Sequence, residues 1–123
     1  MKKILIIEDD PVAAFVYRKC LEKAGYEVHM ATDGQAGLDQ IQQISPDGVV
    51  LDLMMPKLDG ISLLKMLRAL PTGGNIPVLV ITNAYVPQMI EDAMAAGATR
   101  VLSKGDLTPQ TLATVFREVL GAL

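Results

Sequence analysis

Five short, mainly apolar runs recur along the chain, and the segments between them carry apolar residues at helical spacing. The runs cover residues 4–7, 28–31, 49–51, 78–81 and 101–102. Short continuous apolar runs are typical of strands that are buried on both faces, and their regular alternation with helices is typical of a parallel sheet between two helical layers. The pattern therefore predicts an α/β protein with five parallel strands.

Helix boundaries are marked by capping residues. Asp10 begins the first helix and Gly25 ends it, and Thr108 begins the last helix. Asp33 and Asp59, each followed by glycine, are predicted to be cap or turn residues. In the first helix, a 3.6-residue period predicts an apolar face made of Ala13, Val16, Tyr17, Cys20, Leu21 and Ala24.

Length and charge limit the class of protein. A chain of 123 residues makes one domain, residues 1–123, with a core large enough to fold without disulfides. The single cysteine, Cys20, excludes an intramolecular disulfide, and the net charge of −3 without a basic stripe argues against direct nucleic-acid binding. No stretch approaches the ~20 apolar residues of a membrane helix, and no signal peptide is evident. We expect a cytoplasmic protein without a membrane partner.

Polar side chains follow the ends of the predicted strands. In a parallel sheet the carboxyl ends of the strands meet at one edge, where ligands bind. Asp10 is most simply a helix cap, whereas Asp52 has no nearby helix to cap and needs another partner. The polar residues at this edge are Glu8, Asp9, Asp10, Asp52, Thr82, Ser103 and Lys104.

Several carboxylates at one edge must protonate or bind a cation. At ~4 Å a pair of like charges costs about 4 kcal/mol at an effective dielectric of 20. A small set of oxygen ligands suits Mg²⁺, and a carboxylate beside a divalent ion, an ammonium and a hydroxyl can accept a phosphoryl group. The residues alone leave a second interpretation open, in which Lys104 and Asp52 form only a structural salt bridge.

Four groups of residues resemble the receiver domain of two-component response regulators. They are Ile-Ile-Glu-Asp-Asp-Pro at 6–11, Leu-Asp-Leu-Met-Met-Pro-Lys-Leu-Asp-Gly at 51–60, Ile-Thr-Asn-Ala at 81–84, and Ala-Gly-Ala with Leu-Ser-Lys within 96–104. Each motif alone is weak, but their order and spacing are specific, and the resemblance covers essentially the whole chain. It implies a flavodoxin-like (βα)5 fold with strand order 2-1-3-4-5 and helices on both faces.

The resemblance also implies roles for the matching residues. Asp52 accepts a phosphoryl group from a histidine kinase or a phosphotransfer protein, Thr82 hydrogen-bonds that group, and Lys104 pairs with it. The cofactor is Mg²⁺, and its ligands are Asp9, Asp52, the backbone carbonyl of Met54 and, through a water molecule, Glu8. Catalysis is limited to the protein's own phosphorylation and dephosphorylation, so the chain is a signalling protein and not an enzyme.

Phosphorylation of this kind switches protein contacts, either with a separate downstream protein or with a fused output domain. The fourth helix is expected to move, because its start at Val86 and Pro87 lacks a capping side chain. Phe15 lies outside the apolar face of the first helix. It is either a partly covered surface aromatic or a docking contact for the kinase or phosphotransfer protein.

Three residues depart from the family pattern. Val101 replaces the usual aromatic residue, Gly105 replaces the usual proline and is expected to loosen its loop, and Asn83 replaces a small residue. These departures leave one alternative, a degenerate receiver that acts only as an interaction module. A phosphohydrolase is disfavoured because Met54 occupies the position of its second aspartate, and a dinucleotide site is disfavoured because the first strand is followed by acids instead of glycines.

Overall fold

Five strands alternate with five helices in the computed structural model of the protein, as the apolar pattern predicts. The structure describes residues 1–53, 55, 59–71, 74–83 and 86–121. The elements are β1 (Lys3–Ile7), α1 (Pro11–Lys23), β2 (Glu27–Ala31), α2 (Gly34–Ile44), β3 (Gly48–Asp52), α3 (Gly60–Ala69), β4 (Val78–Thr82), α4 (Pro87–Ala96), β5 (Arg100–Ser103), a 3-10 turn (Lys104–Asp106) and α5 (Pro109–Leu120). None of the described helices is both long and apolar enough to cross a membrane.

The five strands form one parallel sheet in the order β2-β1-β3-β4-β5, which confirms the expected topology. Its register aligns the carboxyl ends of neighbouring strands. Ile7 pairs with Leu51, Asp52 pairs with Ile81, and Thr82 pairs with Ser103. The residues that end β1, β3, β4 and β5 therefore share one edge of the sheet.

Helices cover both faces of the sheet. One core cluster joins the sheet to α2, α3 and α4, and the other joins it to α1 and α5. Alternate residues of β3 enter opposite clusters, since Leu51 packs in the first and Val50 in the second. The prediction that every strand is buried on both faces holds for β1, β3 and β4 and is wrong for β2 and β5, which are edge strands and only partly buried.

The predicted caps are confirmed at four helix starts. The side chains of Asp10, Asp33, Asp59 and Thr108 each accept a backbone hydrogen bond from the first turn of the following helix. The start of α4 has no side-chain cap, also as predicted. In α1 the buried residues are Ala14, Tyr17 and Leu21, whereas Val16 is 43% exposed, so its assignment to the apolar face is wrong.

Candidate functional site

Three acidic residues meet at the carboxyl edge of the sheet. Glu8 directly follows β1, Asp52 ends the adjacent β3, and one carboxylate oxygen from each of Glu8, Asp9 and Asp52 lies within 4.8 Å of the other two. Glu8 is 2% exposed and Asp52 is 4% exposed, while Asp9 is open to solvent. The cluster therefore has two buried acids and one side that solvent can reach.

Lys104 connects the two buried acids. Its Nζ donates to Glu8 Oε1 at 2.8 Å and to Asp52 Oδ2 at 3.4 Å, and its side chain is 18% exposed. The sequence predicts the pair with Asp52 but does not indicate the shorter contact with Glu8. Glu8 follows β1 and Asp52 ends the neighbouring β3, so the sequence predicts both acids at the edge that holds Lys104 but does not rank their distances.

Burial, together with the adjacent Asp52 carboxylate, raises the pKa of Glu8 to about 7. The hydrogen bonds that Glu8 accepts from Lys104 Nζ and from the Asp10 backbone N–H oppose this rise but do not cancel it. For Lys104, burial alone favours the neutral amine, but the hydrogen bond to Glu8 and the charge of Asp52 outweigh it and raise the pKa. The lysine is a permanent cation in a site where one acid holds its proton up to neutral pH.

Thr82 completes the polar edge next to this cluster. It is the last residue of β4, is fully buried, and follows Ile81, which pairs with Asp52 across the two strands. Thr82 itself pairs with Ser103, the residue before Lys104. The fold thus brings Glu8, Asp9, Asp52, Thr82 and Lys104 to one edge, and Met54 lies outside the described residues.

Tyr17 is a neighbour of the site. Helical spacing predicts it only as a core residue. Burial raises the pKa of its phenol, and the charges of Lys104, Glu8 and Asp52 reach it. It also lines a small cavity of about 30 Å³ beside Leu107, just after the Lys104 turn. No sequence pattern indicates this position, because helical spacing alone assigns Tyr17 to the core.

Gly105 does not adopt a positive φ, and the expectation that it loosens its loop stays a prediction. It lies in the 3-10 turn that follows β5, and among the described residues the glycines with positive φ are Gly25, Gly97 and Gly121. The special backbone freedom of glycine is therefore not used at Gly105. Val101, at the position of the usual aromatic residue, is partly buried against the core cluster that contains α3 and α4.

The oxygen donors of this edge fit a hard divalent cation. Three carboxylates and one ammonium group leave an excess of negative charge, and neither a thiolate nor an imidazole belongs to the cluster. Oxygen ligands, carboxylates among them, are the type that Mg²⁺ prefers. This fold and this site define a class of protein. It is the class of parallel α/β proteins with an acidic cluster and a lysine at the carboxyl edge of the sheet.

Comparison with known proteins identifies the family within that class. Residues 4–117 match the family model of the response regulator receiver domain. The chain belongs to this family, and the resemblance drawn from its motifs is confirmed.

Relatives and solved structures agree with this assignment. Response regulator MprA of Mycolicibacterium vanbaalenii is 44% identical over 102 residues, which cover 83% of this chain and 43% of that protein. The chain thus spans less than half the length of this curated relative. The chemotaxis protein CheY4 of Vibrio cholerae superposes with a TM-score of 0.92 at 31% identity, over 98% of this chain and 99% of that one.

A third similar protein is the receiver domain of the sensor histidine kinase PA1611 from Pseudomonas aeruginosa. It superposes with a TM-score of 0.89 at 26% identity, over 98% of each chain. That receiver domain was crystallised with a magnesium ion coordinated in its active site cleft.

Proposed function

We propose that residues 1–123 form one phosphoacceptor domain, in which Asp52 receives a phosphoryl group from a histidine kinase or a histidine phosphotransfer protein. The observation that carries the proposal is the grouping of Glu8, Asp9 and Asp52, with oxygens within 4.8 Å, beside the Lys104 ammonium group. A structural salt bridge alone needs neither the third acid nor the open side of the cluster.

Glu8, Asp9 and Asp52 are the residues that would hold Mg²⁺, with the Met54 carbonyl added by analogy to the family. The magnesium ion in the cleft of the PA1611 receiver domain supports this proposal. When bound, Mg²⁺ supplies positive charge that balances the carboxylates and the phosphoryl oxygens during transfer.

The chain's own residues perform the transfer. A carboxylate oxygen of Asp52 forms a bond to phosphorus as the bond between phosphorus and the donor's histidine nitrogen breaks. Lys104 Nζ, which lies 3.4 Å from Asp52, follows the negative charge from the carboxylate to the phosphoryl group. The Thr82 hydroxyl donates a hydrogen bond to a phosphoryl oxygen from the neighbouring strand end. The phosphoryl group carries roughly one and a half to two negative charges, and it replaces the single charge of the Asp52 carboxylate, so the end of β3 gains roughly one negative charge.

The α4 helix is the element that we propose to respond. Its N-terminal turn starts at Val86 without a side-chain cap, so this end has less local stabilisation than the capped starts of α1, α2, α3 and α5. A shift there would alter contacts with a downstream protein or a fused output domain. The protein would act in the cytoplasm, and its catalysis would be limited to its own phosphorylation and dephosphorylation.

Phe15 is the residue that we propose to contact the phosphate donor. It is 56% exposed on α1, and Lys19 Nζ lies 5.5 Å from the centre of its ring. A large exposed aromatic ring on α1, the helix that begins two residues after Asp9, offers apolar area to a protein that must deliver its histidine to Asp52.

The proposal is tested by measuring the intact mass of the protein after incubation with Mg²⁺ and acetyl phosphate. We expect added phosphoryl mass on the parent and on Asp47→Asn, because Asp47 lies at the opposite edge of the sheet and accepts a bond from Lys3 N at 2.7 Å. We expect none on Asp52→Asn or after chelation of Mg²⁺. A parent protein that gains no phosphoryl mass would support the degenerate receiver and overturn the proposal.

A further inference from the structure

The peptide that follows Asp52 is held from two sides. Leu53 N donates to Ile81 O at 3.2 Å, and Leu53 O accepts from Gly60 N at 3.2 Å. These bonds fasten the end of β3 to β4 on one side and to the first residue of α3 on the other. Leu53 is buried in the same core cluster as α3, so any shift at this point changes the packing beside Asp52.

Gly60 is in such close contact with Leu53 that no side chain fits between them. An ideal Cβ on Gly60 would lie 2.6 Å from Leu53 Cα, 2.6 Å from Leu53 Cδ2 and 3.2 Å from Leu53 O. Rotation of the leucine side chain relieves only the Cδ2 contact, because the other two atoms belong to the backbone. A methyl group at position 60 must therefore displace either the start of α3 or the peptide beside Asp52.

The start of α3 resists displacement because the helix packs in the core, where Leu63, Leu64 and Leu67 are fully buried, and because its first turn is capped. Asp59 accepts hydrogen bonds from Ile61 N at 2.9 Å, Ser62 N at 3.1 Å and Ser62 Oγ at 2.8 Å. Its pKa is held low, chiefly by the hydrogen bond from the Ser62 hydroxyl, so this cap is an anion at neutral pH. A shift of α3 would disturb three fully buried leucines, whereas a shift at Leu53 disturbs one buried side chain, so we expect the Leu53 peptide to move.

We propose that Gly60 is a positioning residue for the phosphoacceptor: close contact of its bare α-carbon with the Leu53 backbone sets where the Asp52 carboxylate stands among Glu8, Asp9 and Lys104. This inference rests on the proposed function. Phosphoryl transfer depends on the alignment of the attacking oxygen, and a misplacement of ~1 Å costs about 100-fold in rate.

Gly60→Ala and Gly48→Ala form a matched pair for the test. Gly48 begins β3, at the end opposite Asp52, and a Cβ there would lie 2.9 Å from Phe116 Cε1, so this alanine also clashes inside the core. The rate constant for phosphorylation by acetyl phosphate in excess Mg²⁺ is followed by intact mass, at a temperature where circular dichroism shows both variants folded. We expect Gly60→Ala to be slower by roughly 10- to 100-fold and Gly48→Ala to react at the parent rate.

A second pair keeps the inference testable if Gly60→Ala does not fold. Asp59→Ala removes the cap of α3, and Asp33→Ala removes the equivalent cap of α2, which accepts from Ala36 N at 2.9 Å. Both lose stability as capping mutants do, but only Asp59→Ala is expected to slow phosphorylation.

The outcomes separate this inference from the proposed function. Phosphorylation of the parent with equal rates within each pair overturns the positioning role of Gly60 and leaves the phosphoacceptor intact. Slow phosphorylation of Gly60→Ala beside a fast Gly48→Ala supports it; if Gly60→Ala does not fold, slow Asp59→Ala beside fast Asp33→Ala does so. A parent that takes no phosphoryl group overturns both.

Discussion

Glu8→Gln is expected to stabilise the metal-free protein at neutral and alkaline pH. Glu8 is buried beside Asp52, and its pKa rises from 4.5 to about 7 in the folded protein. Glutamine has nearly the shape of the protonated acid but never ionises. The variant therefore removes the energetic penalty of a buried carboxylate while it keeps the packing of the site.

The magnitude and the pH range follow from the raised pKa. Below pH 4.5 the Glu8 carboxyl is protonated in both the folded and the unfolded chain, so its ionisation does not change the free energy of unfolding. Between pH 4.5 and about 7 only the folded chain holds the proton, so the free energy of unfolding falls as pH rises. Above this range the full penalty is present, and it amounts to roughly 3 kcal/mol.

The bond to Lys104 does not reverse the sign. Removing one partner of a buried ion pair usually destabilises a protein. Here the attraction between Lys104 and Glu8 already contributes to the pKa of Glu8, which is raised despite it. Lys104 also keeps its contact with Asp52 at 3.4 Å in the variant.

Urea unfolding followed by circular dichroism, with a chelator present, measures the effect. The gap between Glu8→Gln and the parent should be near zero at pH 4.5 and should widen to about 3 kcal/mol by pH 8. Glu22→Gln is the control, because Glu22 pairs with Arg18 at 3.2 Å on the surface and its removal should give no such gap. If Glu8→Gln is no more stable than the parent at pH 8, the assigned pKa and the reasoning built on it are wrong.

Three further predictions test the fold and the proposed contacts. Arg68→Met should lower the free energy of unfolding by about 2–3 kcal/mol in urea titrations, because it removes hydrogen bonds to Gly97 O at 3.0 and 2.7 Å and to Ile76 O at 2.6 Å. Phe15→Ala should leave the unfolding midpoint nearly unchanged yet slow phosphotransfer from the cognate donor, and an unchanged rate would remove Phe15 from the docking surface. Amide exchange should be faster in residues 86–96 than in α1, and the reverse order would argue against a responsive α4.

The interior strands and the caps were predictable because each depends on neighbouring residues in the sequence. A short apolar run identifies β3, and an aspartate before glycine identifies the cap at Asp59. The edge strands were less predictable. The run at 28–31 looks like a buried strand, but β2 has a neighbour on one side only, so Met30 is exposed.

Helix faces show the same limit. A 3.6-residue period places Val16 beside Tyr17, and only the position of α5 decides which of the two is covered. At the site, the predicted strand ends indicate which acidic residues lie together at the carboxyl edge of the sheet. The preference of Lys104 for Glu8 over Asp52 depends on a difference of 0.6 Å between contacts of 2.8 and 3.4 Å, which no sequence pattern encodes.

The acidic site links ion binding to proton release. Three carboxylates and one ammonium group amount to two excess negative charges when all are ionised, and this excess equals the charge of one divalent ion. In the metal-free protein, burial and Asp52 favour the protonated form of Glu8 up to pH about 7. At a pH near the pKa of Glu8 the folded protein loses this proton at little cost in free energy, and a bound divalent ion favours the ionised carboxylate. On the proposed function, Mg²⁺ binding and loss of the Glu8 proton are therefore coupled near neutral pH, so Mg²⁺ affinity should increase as pH rises through 7.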